Sequence, residues 1–443
     1  MKWWKETDGT KVWPYRVCVA QSGSRYRVAA TVRKWSESAP NEAWVFPPTF
    51  RSELDMQFAI WSLAAAAFAM ITTEFNIIGV LPLIARDLSV PVPQVGLLVT
   101  AFAFTVSVTG PFLTVAFARV NRSALFTGIL VVSAAGNAIA AVAPNYPLLA
   151  IGRIVSALAL PVFWSMASST AAGIAGPERA GRAIATVFAG ISVASVCGVP
   201  VTTLMASAWG WRAAFAAAGA VCVAMALTVW IVFPRSGLEV PSASRSPLAL
   251  LRQRAFLAHL LLSLLVLTAM FTAYTYLADS MERIGNYEPS TVGWALIGFG
   301  AAGIVGNAFA GRALDGNPMG ASMTAAAIVG AAMAASASTI ASPFGASIML
   351  VLWGAAHAAS FVANHVRVIK AAPAGYEDIA ASLNVSVFNA GIGMGAVVGG
   401  RLIDAIGLSH IGLGAGAIIV VALGLGTLLQ RATGVHAEAA GSS

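Results

Sequence analysis

Charge is what this chain has least of. Only 10% of its 443 residues are Asp, Glu, Lys or Arg, where a soluble domain carries about a quarter. Cysteine is scarce as well. Cys18, Cys197 and Cys222 are the only three, and the last two lie inside apolar stretches, which excludes a disulfide framework or a metal cluster. No glycine-rich nucleotide loop follows a strand pattern, and no nucleophile–base spacing occurs, so an enzyme is the least supported class. Alternating ten-residue segments are missing too, which argues against a lipid-spanning barrel.

What is present is apolar. Hydrophobic residues make up 58% of the chain and the mean hydropathy is +0.79. Apolar runs of about 20 residues are long enough to cross about 30 Å of hydrocarbon as helices. Twelve such spans are expected, near 58–83, 95–118, 123–143, 147–170, 183–206, 212–233, 255–278, 291–312, 319–341, 345–368, 379–403 and 409–429. The second six repeat the first six at an offset of 197 residues. Gly96 falls on Gly293, Phe102 on Phe299, Gly198 on Gly395, Gly210 on Gly407 and Gly219 on Gly416. About two such glycine pairs would arise by chance, so the register of the segments is the better sign of a repeat. Two halves related by an axis along the membrane normal describe a large class of secondary transporters, with a substrate cavity between the halves. The expected fold is therefore all-α, with twelve transmembrane helices in two pseudo-symmetric six-helix halves. Residues 56–233 form the first bundle, 234–254 a cytoplasmic linker, 255–430 the second bundle and 431–443 a tail.

The net charge of +8 does not point to nucleic acid, because the basic residues sit in short loops and at the N-terminus. If the first helix runs outward, twelve basic residues fall on the inner side and four on the outer side. That places both termini in the cytoplasm. Residues 1–55 stand apart, with five Trp and nine Lys or Arg. They contain no apolar run long enough for a signal peptide. They read either as a basic arm touching anionic lipid or as a start assigned too far upstream, with Met56 the first residue.

Polar residues inside the spans carry the functional expectations. Glu74 lies well inside the first span, where a carboxylate is expensive and functional by default. The alternative is a helix–helix hydrogen bond without titration. Arg153, at a similar depth in the fourth span, is its expected partner, with the two side chains facing each other. Protonating Glu74 would then free Arg153; the other reading is a static pair. Trp164 shares a helix face with Arg153 and offers a flat surface for a sugar or aromatic ligand, or plain packing. His357, in the tenth span, can hydrogen-bond or relay protons, or simply pack. Tyr274, Asn307 and Asn389 are further cavity candidates. His365 and Arg367 read as interfacial. Gly391, Gly395 and Gly399 recur every four residues as a smooth stripe for helix contact. Gly190, Gly198 and Pro200 do the same in the fifth span and add an expected kink.

Over about residues 56–430 the chain resembles the major facilitator superfamily, in its twelve-helix drug:proton antiporter subfamily. Within that group it is most similar to the arabinose and sugar efflux permeases. The residues that carry the likeness are Thr72-Thr73-Glu74-Phe75 with Gly79 and Pro82, Arg153, Phe163-Trp164-Ser165, Gly198-Val199-Pro200 and Gly210-Trp211-Arg212-Ala213-Ala214-Phe215. In the second half they are Gly306-Asn307, Gly311-Arg312-Ala313-Leu314-Asp315 and Phe388-Asn389-Ala390-Gly391-Ile392-Gly393. The resemblance implies alternating access, with protons entering as substrate leaves, and no cofactor beyond the proton gradient. It assigns Arg153 to proton coupling and Gly198 with Pro200 to the antiporter signature. Two departures stand out. The loop between helices 2 and 3 has lost its Gly and Asp and keeps Arg119 and Arg122. Its counterpart keeps Gly311 and Asp315 and loses its downstream basic residues, so the inner latch is expected to be weak. Leu160 stands where related members often have His.

The expectation is thus a proton-coupled exporter of a small molecule such as a sugar or drug-like compound. It would act as a monomer in the cytoplasmic membrane, with substrate, protons and lipid as its partners. A facilitator or importer on the same fold, or a non-transporting receptor, are the alternatives.

Overall fold

In this computed structural model the described residues are 53–117, 120–176, 178–233, 247–373 and 375–441. Twelve helices among them are long and apolar enough to cross a membrane. We number one helix per span: α1 (Glu53–Phe75), α2 (Val92–Phe117), α3 (Arg122–Ala141), α4 (Tyr146–Ala175), α5 (Ala180–Trp209), α6 (Trp211–Val232), α7 (Arg254–Arg283), α8 (Pro289–Gly316), α9 (Pro318–Thr339), α10 (Pro343–Lys370), α11 (Glu377–Ile406) and α12 (Ile411–Gly441). Most of residues 1–55, and residues 234–246 of the expected linker, lie outside the described residues. The rest of the linker includes a short helix, Pro247–Leu251. The expected tail from 431 continues α12 to Gly441.

The helix pairs repeat. In the first half α1 packs on α5 and α6, α3 on α4 and α6, and α2 on α4. Adding six to each number gives the main pairs of the second half. The halves meet along α2 with α11 and along α5 with α8, which is again one pair and its repeat. Two matched glycines have a backbone reason. Gly210 and Gly407 adopt φ of +86° and +87° just after α5 and α11. That left-handed region strains any residue with a Cβ, so glycine ends both helices.

Several spans are broken inside the bundle, each for a local reason. Beyond Phe75, Asn76 and Gly79 are poor helix formers, and Pro82 has no N–H to donate. The chain runs through a 3₁₀ turn at Ile78–Val80 into a short helix, Leu81–Asp87. The single expected span 58–83 is corrected accordingly. In α4 the helix yields at Leu158–Ala159, just before Pro161. In α5 a π turn covers Ala194–Gly198, ahead of Pro200. In α7 the break at Thr275–Tyr276 follows capture of the Phe271 carbonyl by the Thr275 hydroxyl at 2.6 Å.

An even number of spans brings the start of α1 and the end of α12 to the same end of the bundle. At the other, far end the halves are sealed. Ile77, Leu81 and Ile84 share one buried core with Tyr276, Leu277 and Met281. Arg86 pairs with Glu282 at 2.6 Å across the halves. Nearby, Asp87 accepts from Arg212 at 2.6 Å and from Trp211 at 3.1 Å. Those two hydrogen bonds, the Arg212 one foremost, hold the Asp87 carboxyl below its ordinary range.

Glycine stripes set the closest helix approaches. A Cβ at Gly190 would overlap the Ala64 carbonyl oxygen, and one at Gly198 would overlap the Thr72 hydroxyl, both on α1. Opposite them, Cβ atoms at Gly391 and Gly395 would come to 2.7 Å from Leu267 Cβ and 2.6 Å from the Thr268 oxygen of α7. Gly399 would likewise meet the Thr272 oxygen.

Candidate functional site

The end of α1 builds the first half of the site. A helix leaves its last carbonyls without intrahelical partners, and its C-terminal end carries partial negative charge. Arg153 of α4 meets that end. Its Nη1 donates to the Thr73 carbonyl at 2.6 Å and its Nη2 to the Glu74 carbonyl at 2.7 Å. A longer bond of 3.4 Å reaches Asn76 Oδ1. The flat face of the guanidinium lies 4.4 Å from the centre of the Phe102 ring. Arg153 is 1% exposed, so its two terminal nitrogens are served by protein oxygens and its face by a ring instead of by water, while its Nε is sealed without a partner.

This corrects the expected side-chain pair. The fork grips the Glu74 backbone, and the Glu74 carboxylate takes no hydrogen bond or ion pair among the described residues. Glu74 is 7% exposed. The two charges are near enough to interact electrostatically without touching. The physical reason is the helix end at Phe75: a span running on to residue 83 would have no free carbonyls at Thr73 and Glu74.

The second half of the site is aromatic. Phe75, next to Glu74, stacks on Phe271 of α7 with centroids 5.8 Å apart. From there a ring cluster extends through Tyr274, which lies 4.7 Å from the His357 imidazole and stacks on Phe299 at 5.2 Å. His357 continues to Phe361, Phe361 to Phe388, and Phe388 to His365. Tyr274 and His357, proposed separately from sequence, are thus neighbours. Asn389 follows Phe388 on α11 and donates to the Val385 carbonyl, leaving its Oδ1 sealed and unpartnered. The Oδ1 of Asn307 is sealed in the same way on α8. Trp164 joins a different cluster, with Phe163 and Phe188 of the first half.

Arg367 also corrects its reading as interfacial. It is 2% exposed and donates to His259 Nδ1 at 2.8 Å, to Ser263 Oγ and to Asn364 Oδ1 at 2.9 Å each. Of the loop residues, Arg119 lies outside the described residues, as does the Asp315 side chain. Arg122 is buried, and its Nη1 contacts the Met166 thioether at 2.8 Å. Gly311 faces open space. Among the described residues no group of His, Cys, Asp and Glu could hold a metal ion.

Twelve paired helices around a polar centre and an aromatic cluster define a multi-pass membrane transporter. The chain belongs to the Major Facilitator Superfamily, whose family model matches residues 63–396. It is 32% identical over 353 residues to the inner membrane transport protein YdhP of Escherichia coli K12, covering 80% of this chain and 90% of that protein. It is 29% identical over 356 residues to a probable sugar efflux transporter of Mannheimia succiniciproducens, covering 80% and 89%. Among solved structures, a bacterial homolog of the human lysosomal transporter Spinster, inward-facing and unoccupied, aligns with a TM-score of 0.70 at 16% identity, over 86% of this chain and 98% of that one. The nucleoside transporter NupG gives the same TM-score at 13% identity, over 84% and 99%. Like its family, the protein is a transporter of small molecules and not an enzyme.

Proposed function

We propose that this transporter exports a small neutral or weakly charged molecule, such as a sugar or a drug-like compound, in exchange for protons. Glu74 carries the proton and Arg153 responds to its state. The observation that supports this most is the division of labour at the end of α1. Arg153 commits both terminal nitrogens to carbonyls and its face to the Phe102 ring, which leaves a buried carboxylate uncommitted. A carboxylate locked into a bidentate pair would resist protonation, whereas an uncommitted one can load and release.

Substrate binds, in this reading, beside Tyr274, His357, Asn307 and Asn389, with Trp164 on the facing half. Rings that stack on sugar or aromatic faces support a neutral ligand, and a relative described as a probable sugar efflux transporter fits that class. Both termini are cytoplasmic, from the excess of basic residues on that side. The sealed far end is then the outer gate, and substrate loads from the cytoplasm. The glycine contacts of α5 on α1 and of α11 on α7 pack helices tightly within each half, so each half can rock as a unit over the α2–α11 and α5–α8 seams. One proton charge crossing 100 mV supplies about 2.3 kcal/mol, enough for roughly fiftyfold accumulation at full coupling.

The test is flux of a panel of labelled sugars in proteoliposomes with an imposed pH gradient. Substrate moving against its gradient as protons move down theirs supports antiport. Movement with the protons, or equilibration without regard to the pH gradient, overturns it.

A further inference from the structure

The centre has a support on its buried side that the transport scheme does not yet use. Asn137 of α3 is 1% exposed. Its Nδ2 donates to the Ser133 carbonyl one turn earlier at 2.9 Å and to Thr73 Oγ1 at 3.0 Å. The same hydroxyl lies 3.7 Å from Cys222 Sγ of α6. Thr73 in turn offers its carbonyl to Arg153. A continuous chain of contacts therefore runs from α3 through the last turn of α1 to the guanidinium.

Two features separate this chain from ordinary packing. The Asn137 Oδ1 is sealed without a partner, which destabilises a fold and favours an apolar residue wherever packing alone decides. The internal repeat supplies that comparison. At the offset of 197, Asn137 corresponds to Ala334, Thr73 to Met270, Arg153 to Leu350, Cys222 to Ile419 and Glu74 to Phe271. The second half keeps the same helix pairs with none of these polar groups, so the scaffold does not need them.

We infer that Asn137 is a positioning residue: by anchoring Thr73 it holds the Arg153 fork on the main-chain carbonyls and off the Glu74 carboxylate. The inference rests on the proposed proton-carrying role of Glu74. Without the amide donor, the last turn of α1 is released from α3. The fork is then free to swing onto the carboxylate, and a direct ion pair favours its charged form. Arg153 is the charged group within electrostatic reach of Glu74. Cys222 of α6 and, past the Phe75–Phe271 stack, Tyr274 of α7 and His357 of α10 are titratable groups near this centre, and Cys197 of α5, beside Gly198 at Thr72, is exposed.

The test is a pH titration of the lipid-reconstituted protein by infrared difference spectroscopy, following the carboxyl band that Glu74→Gln removes. Asn137→Ala is expected to move the midpoint down by at least about half a pH unit, roughly a threefold change in proton affinity. Thr73→Val removes the same bond from its other side and should do likewise. Thr73→Ser keeps the hydroxyl and should restore the wild-type midpoint. Unchanged midpoints in Asn137→Ala and Thr73→Val, with altered thermal stability alone, overturn the positioning role and leave proton carriage standing. A wild-type band that does not titrate between about pH 5 and 9 overturns both.

Discussion

Replacing Arg153 by lysine keeps the positive charge and removes the fork. In the wild type, two charge-assisted bonds of 2.6 and 2.7 Å reach the carbonyls of Thr73 and Glu74, and the ring of Phe102 covers the guanidinium face. An ammonium can hold one of these carbonyls and makes a weaker contact with the ring. The lost bond is worth about 1.5–3 kcal/mol, and the lost ring contact about 1 kcal/mol. A free ammonium is also drawn to the Glu74 carboxylate, which returns part of that. We expect a net destabilisation of about 2 kcal/mol, near thirtyfold in the unfolding equilibrium. Equilibrium unfolding in mixed detergent micelles measures it. Combining Arg153→Lys with Phe102→Leu in a double-mutant cycle isolates the ring contribution. A loss below about 0.5 kcal/mol for Arg153→Lys would mean that the fork is not what holds the end of α1.

The far end and the helix contacts give three further tests. Arg86→Gln or Glu282→Gln removes the ion pair across the halves. Because the Arg86 side chain is 57% and that of Glu282 8% exposed, Glu282→Gln should shift the gate equilibrium by at most about 1 kcal/mol, or fivefold, and Arg86→Gln, which leaves the carboxylate unpaired, by more. Spin-label distances across the far end should show it, and exchanging the two charges should reverse it. Gly190→Val forces a side chain against the Ala64 carbonyl, while Gly128→Ala meets nothing within 4 Å. The first should cost about 1–3 kcal/mol and abolish flux, and the second should be near neutral in both assays. Asp87 titrates below its ordinary value because of Arg212 and Trp211. Its stabilising contribution is therefore complete above that ordinary value and disappears as pH falls through the lower folded one. After solvent screening it amounts to less than about 1 kcal/mol. Asp87→Asn should narrow its Tm gap to wild type on acidification from pH 6 toward about 3.5, and a constant gap would refute the linkage.

Hydropathy made the twelve spans legible, because the bilayer demands long apolar helices and little else. Glu74 and Arg153 stand out for the same reason: a charge inside such a run is costly and conspicuous. Their contact does not. Sequence gives depth along a helix, but the break after Phe75 decides which groups Arg153 can reach, and it depends on Asn76, Gly79 and Pro82 acting together. The ring cluster was half visible. Tyr274 and His357 stand out as polar, but Phe271, Phe361 and Phe388 look like any lipid-facing phenylalanine in composition. Phe102 and Phe299 coincide in the repeat, which marks duplication and nothing more, although one covers Arg153 and the other packs on Tyr274 and His357. Arg367 looks interfacial in sequence because it stands close to Lys370 at a helix end, where arginines usually reach for headgroups. Nothing local in the sequence reveals that His259, Ser263 and Asn364 fold over it.

Coupling itself is tested most directly with Glu74→Gln in proteoliposomes. Glutamine keeps the shape and the main-chain carbonyl that Arg153 grips but cannot carry a proton. With a substrate found in the sugar panel, the variant should still exchange labelled for unlabelled molecules across the membrane, and it should fail to concentrate them when a pH gradient is imposed. Accumulation by Glu74→Gln to the wild-type level would contradict the account.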